Sequence, residues 1–244
     1  MKTISYKNLF LLGLIFLGIG FAECKKDEDK PKEEPKEEPA PTSGTFTDAR
    51  DQKVYKWVII NGKTWMAENL AYLPKVSSPE VGSEDVGNTA DAYYYVYDYR
   101  GTDVTEAKAT DYYKTIGVLY NWNAIKTAAP AGWHVPTEHE WAELQQYLGT
   151  VDEAGNALKE KGTEHWLEPN KGAVDSVGFT MMSSGYRFSD ANDFREIRES
   201  AYYWTTMEDD DNYSWTKKFN NETGLVADKS LKKSCACAIR CIKD

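Results

Sequence analysis

The spacing of apolar and polar positions divides the chain into three unequal parts. An uncharged apolar run over residues 9–22 follows Lys2 and Lys7; it is shorter than the ~18–20 residues a membrane-spanning helix needs and predicts a signal peptide over residues 1–23. Residues 24–44 carry almost no apolar side chains and predict no packed element. Residues 45–244 hold the periodic patterns. Val54–Ile60 is rich in β-branched and aromatic residues, Asn61-Gly62 is a strong two-residue turn signal, and Lys63–Met66 returns as the second strand of a hairpin. Pro136 ends what precedes it, Thr137 and Glu140 have the spacing of a capping box, and Trp141, Leu144, Gln145 and Leu148 fall on one side of a helix that Gly149 can end in a left-handed cap. Trp133 and Trp141 flank that helix start as a packing centre. Residues 93–97 read as a strand inside a long loop over 74–115, residues 200–206 and 213–219 as two strands around an acidic turn, and residues 235–242 as a final strand. In that last strand Cys235, Cys237, Ile239 and Cys241 share one face and Ala236, Ala238, Arg240 and Ile242 the other, the pattern of a central strand covered on both sides.

Composition narrows the setting. Removing residues 1–23 takes away Lys2, Lys7 and Glu23 and leaves a net charge of −11, which argues against nucleic acid or an anionic membrane surface as partner. Eight Trp and sixteen Tyr make the core of the remaining domain aromatic in character rather than aliphatic. Over residues 30–42 the repeated Pro-Lys-Glu-Glu composition favours an extended tether of about 40 Å.

Several motifs resemble known ones. Phe21-Ala22-Glu23-Cys24 resembles the lipobox of bacterial lipoproteins, although Glu23 stands where a small residue is usual, and the resemblance implies acylation of Cys24, with palmitate among the chains. The acidic run over residues 25–29 resembles the sorting signal that sends Bacteroidota lipoproteins to the outer face of the outer membrane. Further on, Phe46-Thr47-Asp48, Trp65-Met66-Ala67-Glu68-Asn69-Leu70, Gly117-Val118-Leu119-Tyr120-Asn121-Trp122, Gly132-Trp133-His134-Val135-Pro136-Thr137, Gly185-Tyr186-Arg187, Tyr203-Trp204-Thr205-Thr206 and Ile239-Arg240-Cys241-Ile242-Lys243-Asp244 together resemble the Fibrobacter succinogenes major paralogous domain, in that order and over nearly all of residues 45–244. The resemblance implies an α+β, C-type lectin-like fold related to the sulfatase-modifying proteins, with small antiparallel sheets, one or two main helices and long irregular loops. It also implies a cysteine bridge to Cys241, but the position of the expected partner is Ala129. Cys235, Cys237 and Cys241 are therefore expected as free, buried, small hydrophobes. Aromatic packing is left to hold the Ala129 corner.

The chemistry points to binding rather than catalysis. No cysteine lies between Cys24 and Cys235, only His134, His139 and His165 are present, and no Gly-x-Ser-x-Gly elbow occurs; the expectation is a non-enzyme without a firm metal or cofactor. Glu168-Pro169-Asn170 is the tripeptide of calcium-dependent mannose-type lectins, with Asn192-Asp193 downstream, and Glu208, Asp209, Asp210 and Asp211 form a second oxygen-rich turn, so calcium is a weak candidate at both. Tyr93, Tyr95 and Tyr97 could stack on sugar rings or pack over the core. The leading reading is a lipid-anchored, surface-exposed outer-membrane protein whose domain binds a glycan or a protein. The alternative is a structural, assembly or adhesion subunit of a cell-surface complex, and an unassigned enzyme is third.

Overall fold

The computed structural model describes residues 42–84 and 91–244. The signal peptide, Cys24 and most of the tether lie outside the described residues. The chain runs β1 (Ser43–Thr47), β2 (Val54–Ile60), β3 (Lys63–Met66) and β4 (Tyr94–Tyr95), then α1 (Val104–Ala109), α2 (Asp111–Ile116), β5 (Leu119–Asn121), α3 (Trp122–Ala128) and β6 (Trp133–His134). It continues with α4 (Glu138–Leu148), α5 (Ala154–Leu158), β7 (Tyr186–Phe188), β8 (Asp193–Arg195), β9 (Ser200–Glu208), β10 (Tyr213–Asn220), β11 (Ala227–Lys232), β12 (Ala236–Cys237) and β13 (Ile242–Lys243). Three antiparallel sheets result, ordered β1-β2-β3-β13-β6, β4-β5-β12-β7-β8 and β11-β10-β9. The architecture is mixed α+β, with small sheets and short helices. No helix among the described residues is long and apolar enough to cross a membrane.

The expected hairpin forms between β2 and β3, with Asn61 and Gly62 at φ 50° and 72°, as a two-residue turn matched to strand twist requires. The expected capping box also forms: Glu140 N–H donates to the Thr137 hydroxyl and Thr137 N–H to the Glu140 carboxylate, opening α4, the longest of the described helices. Gly149 ends that helix at φ 128°, ψ −140°, outside the left-handed cap but still where a side chain is disfavoured. Other expectations change. The loop over 74–115 contains α1 and α2, each opened by an Asp103 or Thr110 side-chain cap that a purely apolar periodicity does not register. The final strand is central, as its two-sided burial implied, but it is split in two.

That split organises the molecule. β12 is the middle strand of one sheet and β13 lies between β3 and β6 in another, because the segment changes hydrogen-bond partner every residue or two. Ala236 and Cys237 pair with β5, Ala238 exchanges bonds with the backbone of Tyr202 and Trp204, and the carbonyls of Ile239 and Cys241 accept from Leu70 and Met66. Its alternation sorts two hydrophobic clusters: Cys237, Ile239 and Cys241 join Tyr55, Trp122 and Trp204, whereas Ala236, Ala238 and Ile242 join Trp65, Trp141 and Tyr203. Trp133 and Trp141 consequently fall in different clusters instead of one packing centre, Trp133 stacked on Phe46 at 4.3 Å and Trp141 tilted on Trp65 at 5.1 Å. Arg240, fully buried, donates to Asn69 Oδ1 at 2.8 Å, to the Thr180 carbonyl at 2.9 Å and to the Phe179 carbonyl, so its guanidinium is satisfied by neutral acceptors.

The corner around Ala129 is not held by aromatic packing alone. Arg50 donates to the carbonyls of Thr127, Ala128 and Ala129 at the end of α3, stacks 3.8 Å from the Tyr72 ring and is itself fixed by Asp48 at 2.7 Å. A guanidinium at a helix C-terminus meets both the orphan carbonyls and the helix dipole. The Asp48 carboxyl is pushed up by burial but more strongly down by its bonds to Arg50, and ends below the usual carboxylate range.

Candidate binding groove

The residues expected to form a site are dispersed. Tyr95 and Tyr97 are buried and Tyr93 is half-buried, so the aromatic run packs over the core: Tyr97 meets Phe194, and the Tyr95 hydroxyl donates to the Val81 carbonyl. Strict alternation fails here because both faces of β4 are covered. The Glu168–Pro169 peptide bond is cis, Glu168 is exposed, and Asn170 is buried, with its amide nitrogen donating to the carbonyls of Glu160 and Gly162. Asn192 accepts from Ser83 and Asp193 pairs with Arg100 at 3.0 Å, partners unrelated to those of Asn170. The acidic turn is also spoken for. Glu208 takes Lys233 at 2.6 Å, Asp209 takes the Ser230 hydroxyl at 2.7 Å, and Asp210 accepts the N–H groups of Asn212 and Tyr213, while exposed Asp211 takes Lys233 through its carbonyl. Glu208 and Asp211 share the Lys233 ammonium, and the other oxygens answer donors of their own. Among the described residues, the acids and histidine whose ligand atoms do converge, within 4.8 Å, are Glu160, Glu164 and His165.

A different surface has the form of a site. β1 and β2 floor an open groove of about 540 Å³, walled by Tyr147 of α4 and by Ser176 and Val177. Trp57 of β2 is half-buried, packs against the first hydrophobic cluster and covers Gly44 of β1: a Cβ at residue 44 would come within 2.6 Å of the indole ring. The glycine therefore sets the pose of the tryptophan. Tyr147 stands on the outer side of α4 with 58% of its surface exposed. Thr42, Thr45 and Ser176 bring exposed hydroxyls to the rim, and Lys56 is the charged side chain among the described lining residues. Trp57 shares one face of the sheet with Gly44, Phe46 and Met66, whereas Thr45, Lys56 and Val58 share the other, the one Val177 packs against, so the groove offers exposed Tyr147 beside hydroxyls with Lys56 as its charged side chain. Trp57 was legible only as a strand residue. Gly44 ahead of the strand and an aromatic on the polar side of α4 were the signals available.

A family model, the Fibrobacter succinogenes major domain, matches residues 58–243. The chain belongs to the Fibrobacter succinogenes major domain family. Neither the curated proteins nor the solved structures contain a match. Of the groove of this family member, the matched span holds Tyr147, Ser176 and Val177, while Gly44 and Trp57 precede it.

The reactive side chains of this Fibrobacter succinogenes major domain are held in structural positions. Cys235, Cys237 and Cys241 are free thiols, all buried, and burial pushes each of them above the ordinary thiol range. His134 is bracketed by Glu140 and Asp244, His165 lies 2.9 Å from Glu160, and His139 is exposed on α4 beside Glu143. Lys159 is buried and donates to the carbonyls of Lys171, Asn220 and Thr223, which ties the loop carrying Glu168 and Asn170 to the end of β10.

Proposed function

We propose that this family member is a lipid-anchored protein of the outer cell surface whose domain binds a neutral glycan without catalysing a reaction, in the open groove over β1 and β2 beside Tyr147. The observation that carries the reading is exposed Tyr147 standing beside the exposed hydroxyls of Thr45 and Ser176, with Lys56 as the charged side chain among the described lining residues. Dispersal of the calcium-type residues and burial of the thiols support a mode that uses aromatic stacking rather than metal or nucleophile. Pairing of β3 near the start of the domain with β13 at its end supports the C-type lectin-like arrangement. Anchoring rests on Cys24 and the acidic run behind it.

The test is a glycan and extracellular-matrix array with the protein in calcium and in chelator, repeated with Tyr147→Ala. Retention of a neutral glycan in both buffers, lost in the variant, is the expected result; retention unaffected by Tyr147→Ala, or binding only to proteins, would overturn it. Cys24→Ser is expected to move the protein from the membrane to the soluble fraction. Retention of the variant at the membrane would remove the anchor from the reading.

A further inference from the structure

His134 ends edge strand β6, and its two ring nitrogens meet two different carboxylates. Nδ1 lies 2.6 Å from Asp244, and Nε2 lies 3.0 Å and 3.2 Å from the two oxygens of Glu140. A neutral imidazole has one N–H and can donate to one of them, so both contacts are hydrogen bonds only in the imidazolium form. The two acids are not equivalent. Glu140 is largely buried, also accepts from the Thr137 N–H and hydroxyl, and has Lys63 of β3 at 3.8 Å. Asp244 has 59% of its side chain exposed. When the ring loses a proton, Glu140 would keep its Thr137 bonds but lose the nearest donor to Oε1 at a carboxylate only 15% exposed, which costs more than letting Asp244 turn to water.

We propose that His134 is a pH-operated latch: its imidazolium ties the cap of α4 and the residue after β13 to edge strand β6, and its neutral form releases Asp244. Release acts on the β6–β13 pairing of Ile242 with His134 and Lys243 with Trp133, at the border of a shallow groove of about 480 Å³ lined by Trp122 and Trp133. The surrounding charges favour the latched form. Burial pulls the imidazole down, but the bonds to Asp244 and Glu140 outweigh it, and the ring stays protonated above its usual range. Lys63 is taken up by Glu143 at 2.7 Å, and Glu208 across the groove is paired with Lys233. Lys126 lines the same groove, and Lys243 neighbours Asp244 on β13. Because the folded pKa lies above the unfolded one, the latch contributes fully below the unfolded value and is lost as pH rises through the folded value. Glu140 bounds it on the acid side: burial raises its carboxyl, bonds from Thr137 and His134 lower it further, and it stays ionised below the usual range.

The experiment follows the ring nitrogens of the full-length protein by NMR between about pH 5 and 9, together with amide exchange over residues 242–243 corrected for intrinsic rates. Two protonated nitrogens below the midpoint, a His134 midpoint above 6.5 that moves down in Asp244→Asn, and protection that falls as pH passes the midpoint are expected. In His134→Gln that pH dependence should be absent. A midpoint at or below 6.5, a midpoint unmoved by Asp244→Asn, or protection indifferent to pH would each overturn the latch. Asp244 is exposed, so its variant leaves the fold intact.

Discussion

Lys159→Met tests how the loop cluster at residues 168–172 is held. The ammonium is fully buried and donates to three backbone carbonyls, Lys171 at 3.1 Å, Asn220 at 3.0 Å and Thr223 at 2.9 Å. Two effects oppose each other when it is removed. Burial pulls the lysine from 10.5 down to about 8, and at about 1.36 kcal/mol per unit its loss would relieve ~3 kcal/mol at pH 7. Removal also leaves three carbonyls without that donor, at ~1–3 kcal/mol each, or ~6 kcal/mol in the middle of the range. Methionine refills most of the volume and adds little to either side. The carbonyl penalty wins, and a net loss of ~2–3 kcal/mol is expected at pH 7.

The same shift fixes a pH signature. The folded pKa lies below the unfolded one, so between about 8 and 10.5 the unfolded chain binds more protons and the native protein gains stability as pH rises. By pH 9.5 this gain amounts to ~2 kcal/mol in the parent protein and is absent in the variant, so the gap between them widens. Urea unfolding followed by tryptophan fluorescence at pH 7 and pH 9.5 measures both quantities. A variant at least as stable as the parent at pH 7, or a gap that does not change with pH, would refute the assignment of Lys159 as the cation that holds these loops.

Gly44→Ala should lower stability by ~1–3 kcal/mol, because the new Cβ comes within 2.6 Å of the Trp57 ring; an unchanged urea midpoint would contradict the close approach of Trp57 to Gly44. Ala129→Cys should oxidise with Cys241, since Ala129 packs against the cluster that contains Cys241, and stabilise by ~2–4 kcal/mol; thiol counting and a non-reducing digest would show a failure to bridge. The thiols of Cys235, Cys237 and Cys241 should react with a thiol reagent at pH 8 only after denaturant is added, and fast modification of the native protein would contradict their burial.

What was legible in the sequence follows from how local each cause is. Asn61-Gly62 and the Thr137–Glu140 box specify their geometry within a few residues, and both formed as read. The alternation over 235–242 was legible as two-sided burial, and it sorted the two hydrophobic clusters correctly, but the partners of that segment come from residues 65–70, 120–121, 134 and 202–204. Nothing local says that one extended segment will serve two sheets. The site was less legible for the same reason. Motif matching selected an oxygen-rich tripeptide and turn; the fold spends the turn's oxygens on capping its own backbone and pairing Lys233, and fixes Asn170 of the tripeptide through its amide nitrogen. The groove depends instead on β1 pairing with β2 and on Tyr147 arriving from a helix distant in sequence. A polar residue in such a domain is a candidate for function only after its structural partners are counted, and by that count the aromatic groove stands ahead of every acidic loop.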